Sequence, residues 1–287
     1  MKNSSHNAHK GNKGRSLQIF VMTFVAFVAV VRSPAEDRVL RVAADPNNLP
    51  FSNQRGEGFE NKIAELIARE LHCKLEYQWR AQRRGFFRET LKNGDADLVL
   101  GVPAHFDMAL TTAPYYRSSY VFVTRAERQI HVASLDDPQL RKLKIGVQLI
   151  GNDGVDTPPA HALARRGIVE NVRGFTLYGD YARQNPPAQI IEAVANGDVD
   201  VAIVWGPLAG FFAKQSPIPL AVTPVTPQRD GALTFAFDVS LGVRKTEREL
   251  KDQLDTFVAQ HREQIERVLD DYNVPRVGRD SQVTSPK

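Results

Sequence analysis

From Arg38 onward, short apolar runs alternate with stretches whose apolar positions recur at helical spacing. Residues 38–44 are rich in Val and Leu and predict a strand, ended by the loop Asp45-Pro46-Asn47-Asn48-Leu49-Pro50. Residues 59–71 place Ile63, Leu66, Ile67 and Leu71 on one helical face. A strand at 74–79, a helix near 84–92 and a buried strand at 97–102 complete a β-α-β-α-β run, which predicts a parallel sheet covered by helices. Residues 120–124 form a further short strand.

Past a charged, proline-marked stretch at 136–142 the same order restarts. Residues 143–148 predict a strand. Thr157-Pro158-Pro159 opens a helix with a capping residue and first-turn prolines, and Gly167 stops it. A strand at 172–178, a helix at 187–195 and a strand at 199–205 follow. The two runs echo one another in detail. Asn93-Gly94-Asp95-Ala96-Asp97 and Asn196-Gly197-Asp198-Val199-Asp200 each close a helix and open an apolar strand that leads to Gly and Pro. Gly94 and Gly197 suit the left-handed position after a helix end. Asn-Gly-Asp is also a common turn, but its recurrence at the same point of both halves points to duplicated architecture.

The end of the chain departs from this alternation. Residues 233–243 form another β run, and Thr246 with Glu249 reads as a capping box before a long helix striped by Leu250, Leu254, Phe257, Val258, Ile265, Val268 and Leu269. A strand and helix left over after the second half can return to complete the first. Residues 120–124 and 233–243 are then two hinge crossovers, and a central cleft lies between two α/β lobes. The expected division is 36–121 with 236–275 for lobe 1, 122–235 for lobe 2, and a loose tail at 276–287.

Charge changes the picture only at the N-terminus. The whole chain carries a formal +4, which hints at nucleic acid. Lys2, Lys10, Lys13, Arg15 and Arg32 stand among the first 35 residues with no acid beside them, so the remainder is at −1. The hint dissolves, and no nucleic-acid partner is expected. Residues 1–35 read instead as a signal peptide: a basic polar stretch, an apolar run at 17–31, then Ser33-Pro34-Ala35 before Glu36. The run is short of the ~20 residues a membrane-spanning helix needs, although an uncleaved anchor is the rival reading. An exported chain that is not an integral membrane protein follows. The single cysteine, Cys73, excludes an intrachain disulfide.

Catalytic signatures are missing: the sequence holds no HExxH, GxSxG or GxxxxGK[ST]. His72-Cys73 is read as junction packing rather than a metal pair. Gly151-Asn152-Asp153-Gly154-Val155-Asp156 lacks the twelfth-position glutamate of a calcium loop and is read as a turn. No catalytic residue, metal or cofactor is assigned. Ligands of open α/β sheets meet the carboxyl ends of the strands. Asn48, Phe51, Arg83, Arg84, Phe86 and Trp205 stand there, and together they are the candidate ligand- or partner-binding surface. Adjacent arginines are often only a solvated face; between Trp79 and Phe86 at a strand end they are also plausible contacts.

The motifs Ala44-Asp45-Pro46-Asn47-Asn48-Leu49-Pro50-Phe51-Ser52, Gly58-Phe59-Glu60-Asn61, Gln82-Arg83-Arg84-Gly85-Phe86 and Thr157-Pro158-Pro159-Ala160-His161-Ala162-Leu163-Ala164-Arg165-Arg166-Gly167, with Ala113-Pro114-Tyr115 before a hinge strand, carry a resemblance. The chain resembles periplasmic substrate-binding proteins of the amino-acid type, and within them the quinoprotein-dehydrogenase-associated branch, the XoxJ/MxaJ type of methanol-oxidation systems. The resemblance spans residues 38–271. It implies the two-lobed type II periplasmic-binding-protein fold and an accessory role toward a PQQ-dependent methanol or alcohol dehydrogenase or its cytochrome c. Two departures stand out. His105 occupies the position where amino-acid binders carry a carboxylate-gripping arginine, and Trp205 the position of the acid for the α-amino group. An ABC-transporter receptor for a small non-amino-acid solute and a dehydratase on this fold are the alternatives, and the latter lacks a clear arginine–acid pair.

Overall fold

The computed structural model describes residues 38–150, 156–176 and 181–278. The signal peptide read from the sequence, and residues 279–287 of the expected tail, lie outside them. Most of the Gly151–Asp156 turn and the end of the 172–178 strand do so as well.

The first lobe grows around β1 (Val39–Ala44). The hairpin of β2 (Asn47–Asn48) and β3 (Ser52–Asn53) follows, then α1 (Phe59–Glu70) and β4 (Lys74–Trp79). Helix α1 buries Phe59, Ile63 and Ile67 completely, each contributing roughly 1.5–3 kcal/mol of apolar burial. The Asn61 side-chain oxygen accepts the Gly58 N–H at 3.0 Å and the Asn53 N–H at 3.1 Å, which ties the helix start to the hairpin. β1 pairs in parallel with β4 on one side and with β5 (Leu98–Pro103) on the other. After the short β6 (Leu110–Thr111) comes β7 (Tyr116–Arg125), the structural pivot.

The second lobe repeats the plan: β8 (Ile145–Leu149), α2 (Pro158–Arg165), β9 (Val172–Thr176), α3 (Gln189–Asn196) and β10 (Val201–Trp205). β8 pairs in parallel with β9 and β10. Then α4 (Gly206–Gln215), β11 (Leu220–Pro224) and the pair β12 (Arg229–Asp230) and β13 (Leu233–Thr234) lead into β14 (Ala236–Val243), followed by α5 (Arg248–Gln260) and α6 (Arg262–Asp271).

The hinge is visible in the register. Tyr116 to Ser119 of β7 pair antiparallel with Val239 to Ala236 of β14, whereas Tyr120 to Thr124 pair with Trp205 to Val201 of β10. β14 then continues along β5 in the first lobe. Two strands therefore carry the chain between the lobes, as expected. In the second lobe Val121 and Val123 pack into one apolar cluster and Phe122 into another, so both sheet faces are covered. That is why these strands read as unbroken apolar runs.

The echo between halves is physical. The Asp97 carboxylate accepts the Arg41 N–H at 3.0 Å, and the Asp200 carboxylate accepts the Lys144 N–H at 2.9 Å, each 56 residues along the chain. Gly94 and Gly197 have φ of +85° and +79°.

Several local expectations need correction. The helix near 84–92 is present at 86–92 but is π-helical over Arg88–Lys92, and the Thr90 carbonyl accepts the Asp95 and Ala96 N–H groups beyond its end. Thr157 stands at the start of α2, but its hydroxyl donates to the Gln148 carbonyl at 2.7 Å instead of capping. The Thr246/Glu249 box does not form, because α5 starts after Glu247, and the long helix breaks at His261. Residues 272–275 pack on the first lobe, and residues 276–278 of the expected tail are docked as well. Val274 is buried, the Ser118 hydroxyl donates to the Pro275 carbonyl at 2.6 Å, and the Val277 N–H meets the Arg117 carbonyl at 3.2 Å. Among the described residues no helix is long and apolar enough to cross a membrane.

Candidate functional site

The loop after β1 builds one side of the cleft. Asp45 is buried; its carboxylate accepts the Asn47 N–H at 2.8 Å and the Gln82 N–H at 2.7 Å. From the second lobe, the Tyr181 hydroxyl donates to the same carboxylate. Burial, followed by this carboxylate, pushes the Tyr181 phenol up. The Asn47 amide donates to the Arg183 carbonyl at 2.8 Å. The lobes thus meet across the cleft through Asp45 and Asn47 on one side and residues 181–183 on the other.

Behind this contact lies a cavity of about 350 Å³ lined from both lobes. Its aromatic wall runs through the hinge: Tyr120 and Trp205 meet edge to face at 5.5 Å, and Trp205 and Phe237 at 5.8 Å. A side-chain hydrogen bond links Trp205 to the Tyr116 hydroxyl, although burial holds the Tyr116 phenol well above its ordinary value. Glu60, in the first turn of α1, reaches into this space against Gly101, where an added Cβ would stand 2.3 Å from its carboxylate oxygen. Glu60 is half-buried, and its side chain lines the cavity. Burial, with a smaller push from Asp45, raises its pKa to about 8. Among the described residues no Lys, Arg or His lines the cavity.

Of the residues singled out from the sequence, Asn48, Phe51 and Trp205 line the cavity. Asn48 donates to the Gln82 side chain at 3.2 Å. Arg83 and Arg84 are exposed beside it and do not line it; the Arg83 guanidinium lies 5.1 Å from the centre of the Tyr181 ring. Phe86 is corrected: at 4% exposure it packs with Ala43, Leu91, Val99 and Val102, so it supports the Arg83–Arg84 loop from beneath and faces no partner. His105 is exposed and away from the cavity, so neither expected amino-acid anchor is present as a charge. Sequence reasoning missed Glu60, Asp45, Tyr120 and Phe237. Glu60 stood within the quoted Gly58-Phe59-Glu60-Asn61 motif, where it looked like an ordinary acid at a helix start.

The model of the bacterial extracellular solute-binding proteins, family 3, matches residues 40–273. The chain belongs to this family. Protein MoxJ of Methylorubrum extorquens is 31% identical over 248 residues, 82% of this chain and 81% of its own length. The crystal structure of the periplasmic binding protein XoxJ from Methylobacterium extorquens AM1 matches with a TM-score of 0.69 at 38% identity, over 83% of this chain and 99% of that one. The crystal structure of MxaJ from Methlophaga aminisulfidivorans MPT matches with a TM-score of 0.72 at 26% identity, over 83% and 100%. These likenesses place this family 3 protein with the XoxJ/MxaJ-type branch and with the two-lobed type II fold.

Proposed function

We propose that this chain is a periplasmic accessory protein, not an enzyme, which contacts and supports a PQQ-dependent methanol or alcohol dehydrogenase. The observation that carries the reading is similarity to MoxJ, XoxJ and MxaJ over most of each chain. A cleft without the charged pair that holds an α-amino acid supports it, because a zwitterion entering there loses water at both ends and gains little. The cleft, with Asn48, Phe51 and Trp205 on its wall and Arg83 and Arg84 at its rim, is the proposed contact surface. The test is purification of tagged protein from the periplasm of its own cells. Recovery of the dehydrogenase or its cytochrome supports the reading, and recovery of permease and ATPase subunits alone refutes it. N-terminal sequencing of the same material is expected to start near Glu36.

A second reading, a receptor for a small non-amino-acid solute, is favoured by one observation. The cavity is lined from both lobes and, at about 350 Å³, reaches the lower end of the ligand-pocket range of about 300–1,000 Å³.

A further inference from the structure

The cleft contains a carboxyl group with no partner among the described residues. Among the described residues the Glu60 carboxylate has no hydrogen-bond donor and no cation, and the one charge that acts on it is Asp45. Asp45 has three donors of its own. A carboxylate enclosed without partners is costly, and such groups neutralise unless a cation joins them. The same cavity is lined by the rings of Tyr116, Tyr120, Trp205 and Phe237, and aromatic faces attract positive charge. Among the described residues no cationic side chain lines the cavity to hold an anion, and segments 151–155 and 177–180 contain no Lys, Arg or His in sequence.

We propose that the cleft binds a small organic ammonium ion that carries no carboxylate, with Glu60 as its counter-ion and Tyr116, Tyr120, Trp205 and Phe237 as its aromatic walls. This goes beyond the accessory role, and it is read on the isolated protein, so its failure is distinct from failure of the dehydrogenase assay. The cation displaces the proton that Glu60 carries in the empty cleft. The titratable groups that face Glu60 are Asp45 from the β1 loop, Tyr77 from β4, and Tyr115 and Tyr116 at the start of β7. All three tyrosines are held above their ordinary values and stay neutral, so Glu60 is the group whose titration binding reports.

Calorimetric titration tests the proposal with four probes: choline, n-butylammonium, glycine betaine, and 3,3-dimethylbutan-1-ol as the neutral carbon counterpart of choline. Choline or n-butylammonium is expected to bind, with the neutral alcohol weaker by about tenfold or more. Glycine betaine is expected to be weaker than choline, because its carboxylate meets no cation. Choline keeps its charge from pH 6 to pH 9. Its affinity is expected to rise over that range by about ninety-fold, as required when one proton with a pKa near 8 must leave. Glu60→Gln is expected to abolish that pH dependence and to weaken binding at pH 9, and a thermal melt confirms that the variant is folded. The proposal is overturned if neither cation binds at millimolar concentration, or if the neutral alcohol binds as well as choline. It is overturned equally if wild-type binding is flat in pH, or if folded Glu60→Gln binds choline at pH 9 as wild type does.

Discussion

Gly58 shows how a single residue sets the cleft loop. A Cβ there would stand 2.0 Å from the Phe51 carbonyl oxygen and 2.6 Å from the Ser52 Cα, both backbone atoms with nowhere to go. Gly58→Ala is therefore expected to cost ~3 kcal/mol, at the upper end of overpacking penalties, read as a lower urea midpoint. Glu60 makes the opposite prediction. Its folded pKa of about 8 lies above the ordinary 4.5, so between these values the folded state holds a proton that the unfolded state has lost. Wild-type stability should fall as pH rises through that window, by at most about 1.4 kcal/mol per pH unit. Glu60→Gln should be the more stable protein at pH 9, and the difference should vanish near pH 4.5 in denaturant titrations. The legibility of single residues was uneven for a physical reason. Phe51 and Trp205 are large aromatics at strand ends, where the topology aims them at the cleft. Phe86 has the same chemistry and a similar place in sequence, yet the turn rotates it into the core beside Leu91 and Val99. Glu60 turns inward because Gly101, distant in sequence, leaves room for its carboxylate.

At the scale of elements, the repeated β-α-β order was readable because each strand and helix buries an apolar face of its own period. The exceptions are elements whose sequence looks like a loop. Helix α4 opens with Gly206-Pro207 and contains Gly210, which argues against a helix from propensity alone. It forms because those glycines let it lie against backbone: added Cβ atoms would stand 2.6 Å from the Ser119 carbonyl and 2.0 Å from that of Asn273. Tertiary packing overrides local preference there. The duplicated aspartates allow a comparison between the halves. Asp97 accepts from the Arg41 backbone and pairs with the guanidinium groups of Arg41 at 2.9 Å and Arg244 at 3.0 Å, knitting β1 to the residue that follows β14. Burial works to raise its pKa, but the Arg41 and Arg244 hydrogen bonds outweigh it and hold the carboxylate low. Asp200 keeps the backbone contact but, among the described residues, pairs only with Arg128, half exposed, at 3.4 Å. Asp97→Ala is expected to cost ~3 kcal/mol and Asp200→Ala ~1 kcal/mol by urea unfolding. The Asp97 contribution is present above pH 3.8 and is lost as acid drops below it through the lowered folded value.

For the whole molecule, the sequence identified two lobes, two crossings and a cleft, but not the contact that holds the lobes together. That contact depends on Tyr181, which belongs to no recognisable motif and meets Asp45 only once the chain is folded. It also changes what the paired arginines mean. Arg83 and Arg84 are exposed beside the closed cleft, and Arg83 lies over Tyr181. Toward the partner proposed above they would be rim charges, which act on association rate more than on the final complex. If the proposed dehydrogenase partner is right, the double variant Arg83→Ala with Arg84→Ala should slow association with it by ~10-fold at low salt, and the difference should shrink as ionic strength rises. Tyr181→Phe separates the two routes by which this could arise, because it removes the hydroxyl that reaches Asp45 and leaves both arginines in place. If the arginines act as charges at the rim, Tyr181→Phe associates as fast as wild type. If they act by holding the cleft closed, Tyr181→Phe slows association as the double variant does, and both show a larger radius of gyration in solution scattering. A folded double variant that associates like wild type at low salt would remove the rim from the proposed contact surface and leave the outer helices α5 and α6 as the next face to test.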